Sequence, residues 1–255
     1  MRTELVVDLA DGKKGYATLR GGWQDTLIIY LPCYGGNVRL DALPDRAGLY
    51  FEAMGITFLA LNLYDSWLER ARNLSDKLTL EDHVSDARAA IRLARKSGAR
   101  NIHVVAHSLA AYPALMMALA QDKALLPKSI VLWDGSEPIP TLSAEGLRYD
   151  PARDLYIGER GSGFVVSKQY LDAVKVFRIE DIARGLATPI LAIEAGNNET
   201  LRGVSEKYRT HLGEKWVKTQ VIPRCGHHFI EDDEGCELLF ERTFRWIKAG
   251  HLRVG

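Results

Sequence analysis

Asn101-Ile102-His103-Val104-Val105-Ala106-His107-Ser108-Leu109-Ala110-Ala111 is the stretch on which the reading of this chain turns. The β-branched run Asn101 to Val105 passes straight into Ala106 to Ala111, and a helix-compatible stretch, Tyr112 to Gln121, follows. The pattern is strand, sharp turn, helix. So tight a turn strains the backbone of its central residue, Ser108, and exposes that side chain above the strand end. It also needs small residues two positions to either side, and Ala106 and Ala110 meet that need. Ser108 is therefore a candidate nucleophile; the plainer alternative is a serine that caps the helix after it.

Outward from this turn, short apolar runs alternate with amphipathic helical stretches, the pattern of a mostly parallel sheet covered on both faces. Thr3 to Asp8 and Gly15 to Arg20 flank the turn residues Asp11-Gly12 and predict an opening antiparallel pair. Six further strands are predicted at Thr26 to Leu31, Ile56 to Leu61, Asn101 to Val105, Ser129 to Trp133, Ile190 to Glu194 and Lys218 to Ile222. Most are continuous apolar runs, as strands buried on both faces should be. The expected sheet thus has eight strands. Thr79 with Asp82 has the form of a weak capping box, and Leu80, Val84, Ala87, Ile91 and Ala94 then fall on one helical face before Gly98. Near the C-terminus Leu239, Phe240, Thr243, Phe244, Trp246 and Ile247 predict a last helix ending at Gly250. Residues 137–188 are longer than an ordinary crossover and rich in proline and glycine, so a small cap inserted over the C-terminal edge of the sheet is expected there. The whole chain reads as one α/β domain, 1–255.

A serine hydroxyl near neutral pH needs a base to accept its proton, so a histidine must reach the same sheet edge. After the last predicted strand comes Pro223-Arg224-Cys225-Gly226-His227-His228-Phe229. Open α/β sheets place their sites at that edge. The alternatives for the two histidines are a solvated pair, or a metal site completed by Glu231, Asp232 and Asp233. His107 and His103 read as structural, and His83, His211 and His251 as surface positions.

The order serine, acid, histidine, on a strand-turn-helix nucleophile, resembles the α/β-hydrolase superfamily over nearly the whole chain. The family usually has glycine where this chain has Ala106 and Ala110. The resemblance implies an α/β-hydrolase fold and a serine hydrolase in which Ser108 attacks and His227, the residue after the turn glycine, is the base. The family's acid follows the strand before the histidine loop in a Gly-x-x-acid turn, here Gly196-Asn197-Asn198-Glu199, which implies Glu199; Asp134, at the end of the strand before that, is the competing carboxylate. Pro32-Cys33-Tyr34-Gly35-Gly36 stands where the family has His-Gly-x-Gly-Gly, and implies an oxyanion hole made by the backbone N–H groups of Tyr34 and Leu109. Gly163 to Leu171 and Ile179 to Ile190 are faintly similar to feruloyl and cinnamoyl esterases and to lysophospholipase-like hydrolases. Cleavage of a small carboxylic ester or thioester through an acyl-enzyme is expected, with neither cofactor nor metal. A ligand-binding, receptor-like member without turnover is the alternative, given the altered Pro32-Cys33 loop and the missing elbow glycines.

Composition narrows the partners. The chain has 33 Lys plus Arg against 33 Asp plus Glu, which leaves no excess positive charge for a phosphate backbone. No run approaches the length of a membrane span, no G-x-G-x-x-G follows the first strand, and the three cysteines show no paired spacing. A reducing, cytoplasmic setting and a small-molecule acyl substrate are the expectations, and no oligomeric state is legible. Trp67, Tyr34 and Trp133 lie just beyond predicted strand ends; they could line an acyl pocket or simply pack at the edge of the core.

Overall fold

The structure, a computed structural model, describes residues 1–9, 14–33, 36–63, 79–119, 123–137, 147–152, 154–158 and 165–249. The turn Asp11-Gly12, Tyr34, Gly35, Trp67, Gly250, His251 and parts of the expected insertion lie outside these residues.

Strands β1 (Arg2–Asp8) and β2 (Lys14–Arg20) open an eight-stranded sheet. It continues with β3 (Thr26–Leu31), β4 (Thr57–Asn62), β5 (Asn101–His107) and β6 (Ser129–Trp133). Three short strands, β7 (Leu147–Asp150), β8 (Leu155–Gly158) and β9 (Val165–Ser167), form a separate antiparallel sheet. The main sheet closes with β10 (Ile190–Ala195) and β11 (Val217–Ile222). Its order is β1-β2-β4-β3-β5-β6-β10-β11. β1 and β2 run antiparallel, as does β2 to β4, and every later pairing is parallel.

Alternation along β3 shows how the two faces are covered. Leu27, Ile29 and Leu31 join one core with Val84, Ala87 and Ile91 of α2 (Leu80–Lys96) and Leu115 of α3 (Ala111–Met117). Ile28 and Tyr30 point the other way, into a second core with Phe51 of α1 (Ala42–Ala53) and Leu239 and Phe240 of α7 (Asp233–Lys248). Successive side chains of a strand face opposite sides, so an unbroken apolar strand supplies both cores at once.

The α2 capping box is present. Thr79 Oγ1 accepts the Asp82 N–H at 3.1 Å, and the Asp82 carboxylate accepts the Thr79 N–H at 2.8 Å. His83 corrects one expectation: it is fully buried rather than at the surface, its ring 5.2 Å from that of Tyr170. At i+3 from Leu80 it belongs to the apolar face of α2, which the segment between β6 and β10 covers. That segment carries, besides β7 to β9, helices α4 (Lys168–Val176) and α5 (Ile179–Gly185). Ser167 caps α4 by accepting the Tyr170 N–H at 3.0 Å. Tyr170, Leu171 and Val174 share an apolar cluster with Leu80, Leu109 and Tyr112, so α4 packs beside the residue that follows Ser108. Among the described residues no helix is long and apolar enough to cross a membrane.

Candidate active site

Four strand ends meet at the C-terminal edge of the sheet. Ser108 follows β5 directly and has φ +60°, the left-handed region that a non-glycine residue occupies only when its surroundings force it. Ala106 and Ala110 are both completely buried, as small residues flanking so tight a turn should be. By helix geometry, the first N–H groups of the helical turn begun by Ser108 have no partner within the helix, and that of Leu109 is one of them.

Asp134 ends β6 and also has a positive φ, +45°. Its backbone N–H donates to Ile193 C=O of β10 at 2.7 Å, and two residues on, Ser136 N–H donates to the carbonyl of Ser108 at 3.1 Å. The serine elbow and the Asp134 turn are thus bonded to each other. Tyr208 OH, from α6 (Val204–Leu212), donates to Ser136 C=O, and Tyr112 OH donates to Glu137 C=O at 2.7 Å. Gly135 has to be small, because a Cβ there would lie 3.2 Å from that of Ala111.

His227 lies on the loop after β11, where Cys225 and Phe229 are fully buried and fasten the segment to the second core. Its Nδ1–H donates to Asp134 Oδ2 at 2.6 Å, and the aspartate side chain is only 1% exposed. A short bond between a ring nitrogen and a buried carboxylate fixes both the orientation and the tautomer of the imidazole. Nε2 is left holding the lone pair.

Glu199, expected to partner this histidine, does not reach it. Its side chain is 87% exposed and pairs with Arg202 at 3.7 Å. The physical reason lies in the turn after β10: Glu199 starts a short 3-10 turn and faces outward, while the half-buried Asn198 faces inward. Asn198 Nδ2–H donates to Asp134 Oδ2 at 2.6 Å and lies 3.3 Å from His227 Nδ1. Asp134 therefore takes the place expected of Glu199. β6 stands between β5, which leads into Ser108, and β10 in the sheet, which brings its end to the histidine.

No family model matches the sequence, and no curated protein matches it. Solved structures do match over almost the full length. Est1E from Butyrivibrio proteoclasticus superimposes with a TM-score of 0.76 at 18% identity, covering 97% of this chain and 98% of its own. The esterase domain of a Rhodothermus marinus protein gives 0.74 at 14% identity, covering 98% of each chain. Dienelactone hydrolase from Anabaena variabilis gives 0.69 at 14%, covering 98% of this chain and 97% of its own. The chain has the α/β-hydrolase fold.

Within this α/β-hydrolase fold the remaining candidates separate. Of its two readings, Trp133 follows packing in the core: it is fully buried on the α7 side of the sheet, its ring 5.6 Å from Tyr30 and 5.8 Å from Phe240. Its Nε1–H donates to Thr243 Oγ1 at 3.0 Å. Period-two alternation decides this, since the last side chain of β6 points to one face while the chain turns toward the edge only at Asp134. Tyr34 and Trp67 lie outside the described residues. His228 is exposed, its ring 5.3 Å from that of His227. Among the described residues no group of three or more His, Cys, Asp or Glu side chains is arranged to hold a metal ion.

His107, which reads as structural in the sequence, carries part of the site. Its Nε2–H donates to the backbone carbonyl of His227 at 2.8 Å, and the two rings lie 4.9 Å apart. The residue before the serine thus anchors the histidine loop. Burial, followed by the charges of His227 and His228, pushes the His107 pKa down to about 3, and burial pushes that of His83 down to about 4.

Both rings are held neutral in the folded protein, whereas in the unfolded chain they titrate near the ordinary 6.5. Between these values the unfolded chain binds more protons, so stability is full above pH 6.5 and falls as pH drops through it. Each ring contributes a slope of up to about 1.4 kcal/mol per pH unit. Urea unfolding at pH 7.5, 6 and 5 is expected to show this decline, and His83→Gln to shrink its slope. Constant stability down to pH 5 would contradict the account.

Proposed function

We propose that this protein is a serine hydrolase that cleaves a small carboxylic ester or thioester through an acyl-enzyme, with Ser108 as nucleophile, His227 as general base and Asp134 as the acid. The observation that carries the reading is the 2.6 Å bond from His227 Nδ1 to the buried Asp134, bonded in turn to the elbow that holds Ser108 at φ +60°. The names of the solved structures with the same fold, two esterases and a dienelactone hydrolase, favour ester chemistry.

The roles follow from atom types. Ser108 Oγ attacks the acyl carbon while its proton passes to His227 Nε2. The carbonyl oxygen gains charge, for which the Leu109 N–H and, from the sequence, the Tyr34 N–H are the proposed donors. The bond to the leaving alcohol or thiol then breaks as His227 returns the proton to it. Water attacks the acyl-enzyme by the same relay and releases the acid with free Ser108. Asp134 holds Nδ1–H throughout and stabilises the imidazolium.

A fluorophosphonate probe tests the reading, because only a base-activated serine beside oxyanion donors reacts readily. Labelling at Ser108, lost in Ser108→Ala and His227→Ala but kept in His228→Ala, is the expected outcome. Persistent labelling of a folded Ser108→Ala protein removes Ser108 from its role. A panel of 4-nitrophenyl esters of increasing chain length then defines the acyl group.

A further inference from the structure

The Asp134 carboxylate is buried with three donors on it, one from the last residue of β10 and one from the turn that follows. Oδ1 accepts the Ala195 N–H at 3.0 Å; Oδ2 accepts both His227 Nδ1–H and Asn198 Nδ2–H at 2.6 Å. The orientation of the Asn198 amide follows from the partners, since the flipped amide would set its oxygen against a carboxylate oxygen, acceptor to acceptor. The turn that carries Asn198 is itself tied to the end of β11 and the histidine loop, Gly196 N–H donating to Ile222 C=O at 2.8 Å and Asn197 N–H to Cys225 C=O at 2.9 Å, and it is closed by Asn198 N–H donating to Ala195 C=O at 3.1 Å. Gly196 sits tightly against that loop, because a Cβ would lie 3.0 Å from Ile222 C=O and 3.1 Å from Pro223 Cα, so a side chain there would push the backbone aside.

We infer that Asn198 is a positioning residue of the active site: through its bond to Oδ2 it clamps the Asp134 carboxylate against His227. The inference rests on the proposed triad. Its geometric core is that side chains from two different strand ends converge on His227 Nδ1, at 2.6 Å from Asp134 and 3.3 Å from Asn198. Exchanging acid and amide between the two positions keeps one charge and one donor in the cluster and reverses only which strand end supplies the charge. Asn198 acts through Asp134, so its loss should lower kcat and leave KM nearly unchanged.

The test uses the full chain and 4-nitrophenyl butyrate, with melting temperature as the control for folding. Asn198→Leu, which keeps the bulk and removes the donor, is expected to lower kcat about 10- to 100-fold, the size of a lost hydrogen bond to a charged group, with KM within about twofold of wild type. Asp134→Asn combined with Asn198→Asp is expected to turn over at least about tenfold faster than Asp134→Asn alone, since the acid is restored to the histidine. A purely structural asparagine predicts no such rescue. Wild-type kcat in Asn198→Leu, or a folded double variant no faster than Asp134→Asn, overturns the inference. If the single variant Asp134→Asn keeps wild-type turnover, the proposed acid itself is wrong and the inference falls with it; that result is read before the double variant is made.

Discussion

Asp134→Asn is expected to lower turnover of nitrophenyl esters by up to about 10⁴-fold, the cost of the same exchange in serine-protease triads, while Glu199→Gln leaves it within about twofold. Asp134 is buried and accepts His227 Nδ1–H at 2.6 Å. Asparagine keeps the shape but presents either an amide donor or a neutral oxygen, so the imidazolium loses its counter-charge and the ring is no longer held in the tautomer that leaves Nε2 free. Glu199 pairs with Arg202 at the surface, and an exposed pair of that kind contributes little. Steady-state kinetics on the two variants, with melting curves to show that each is folded, separate the carboxylates. A dead Glu199→Gln beside a fully active Asp134→Asn reverses the assignment.

Trp133→Ala is expected to destabilise the protein by about 3–5 kcal/mol, the range for deleting a large aromatic ring from a packed core. The ring fills the space between Tyr30 and Phe240, and its departure also strips Thr243 Oγ1 of the indole donor. Thr243→Val isolates that hydrogen bond and should cost about 1 kcal/mol. Urea unfolding measures both. Because the ring lies on the α7 side of the sheet, Trp133→Phe is expected to change the rates of short-chain and long-chain esters in equal proportion. A selective loss of one ester class would return Trp133 to a pocket.

The strand-turn-helix at Ser108 was legible in the sequence because it is a local event: the apolar period of a strand, two alanines and a helix-compatible stretch are all contiguous. The same holds for the α2 capping box and for the apolar strands, since periodicity and capping depend on neighbours a few residues away. The parallel sheet followed from those strands lacking a polar face. His107 was visible only as a structural residue, because its partner, the carbonyl of His227, is 120 positions further along the chain.

Which carboxylate meets His227 was decided by tertiary structure alone. Asp134 and Glu199 each follow a strand, and nothing local says which side chain turns toward the histidine. The sheet order β5-β6-β10-β11 puts the end of β6 next to the strand that leads into Ser108, and the turn after β10 faces Asn198 inward and Glu199 outward. For a related reason His83 differed from expectation, and the sequence left Trp133 open between pocket and core. Burial depends on what covers a helix face or a sheet face, and the elements that cover these two, the segment bearing α4 and helix α7, are packed against them from far along the chain. Local patterning therefore determined which elements form and where the serine turn lies, whereas the pairing of distant strands and the packing of distant helices decided which carboxylate, which amide and which backbone carbonyl surround the histidine.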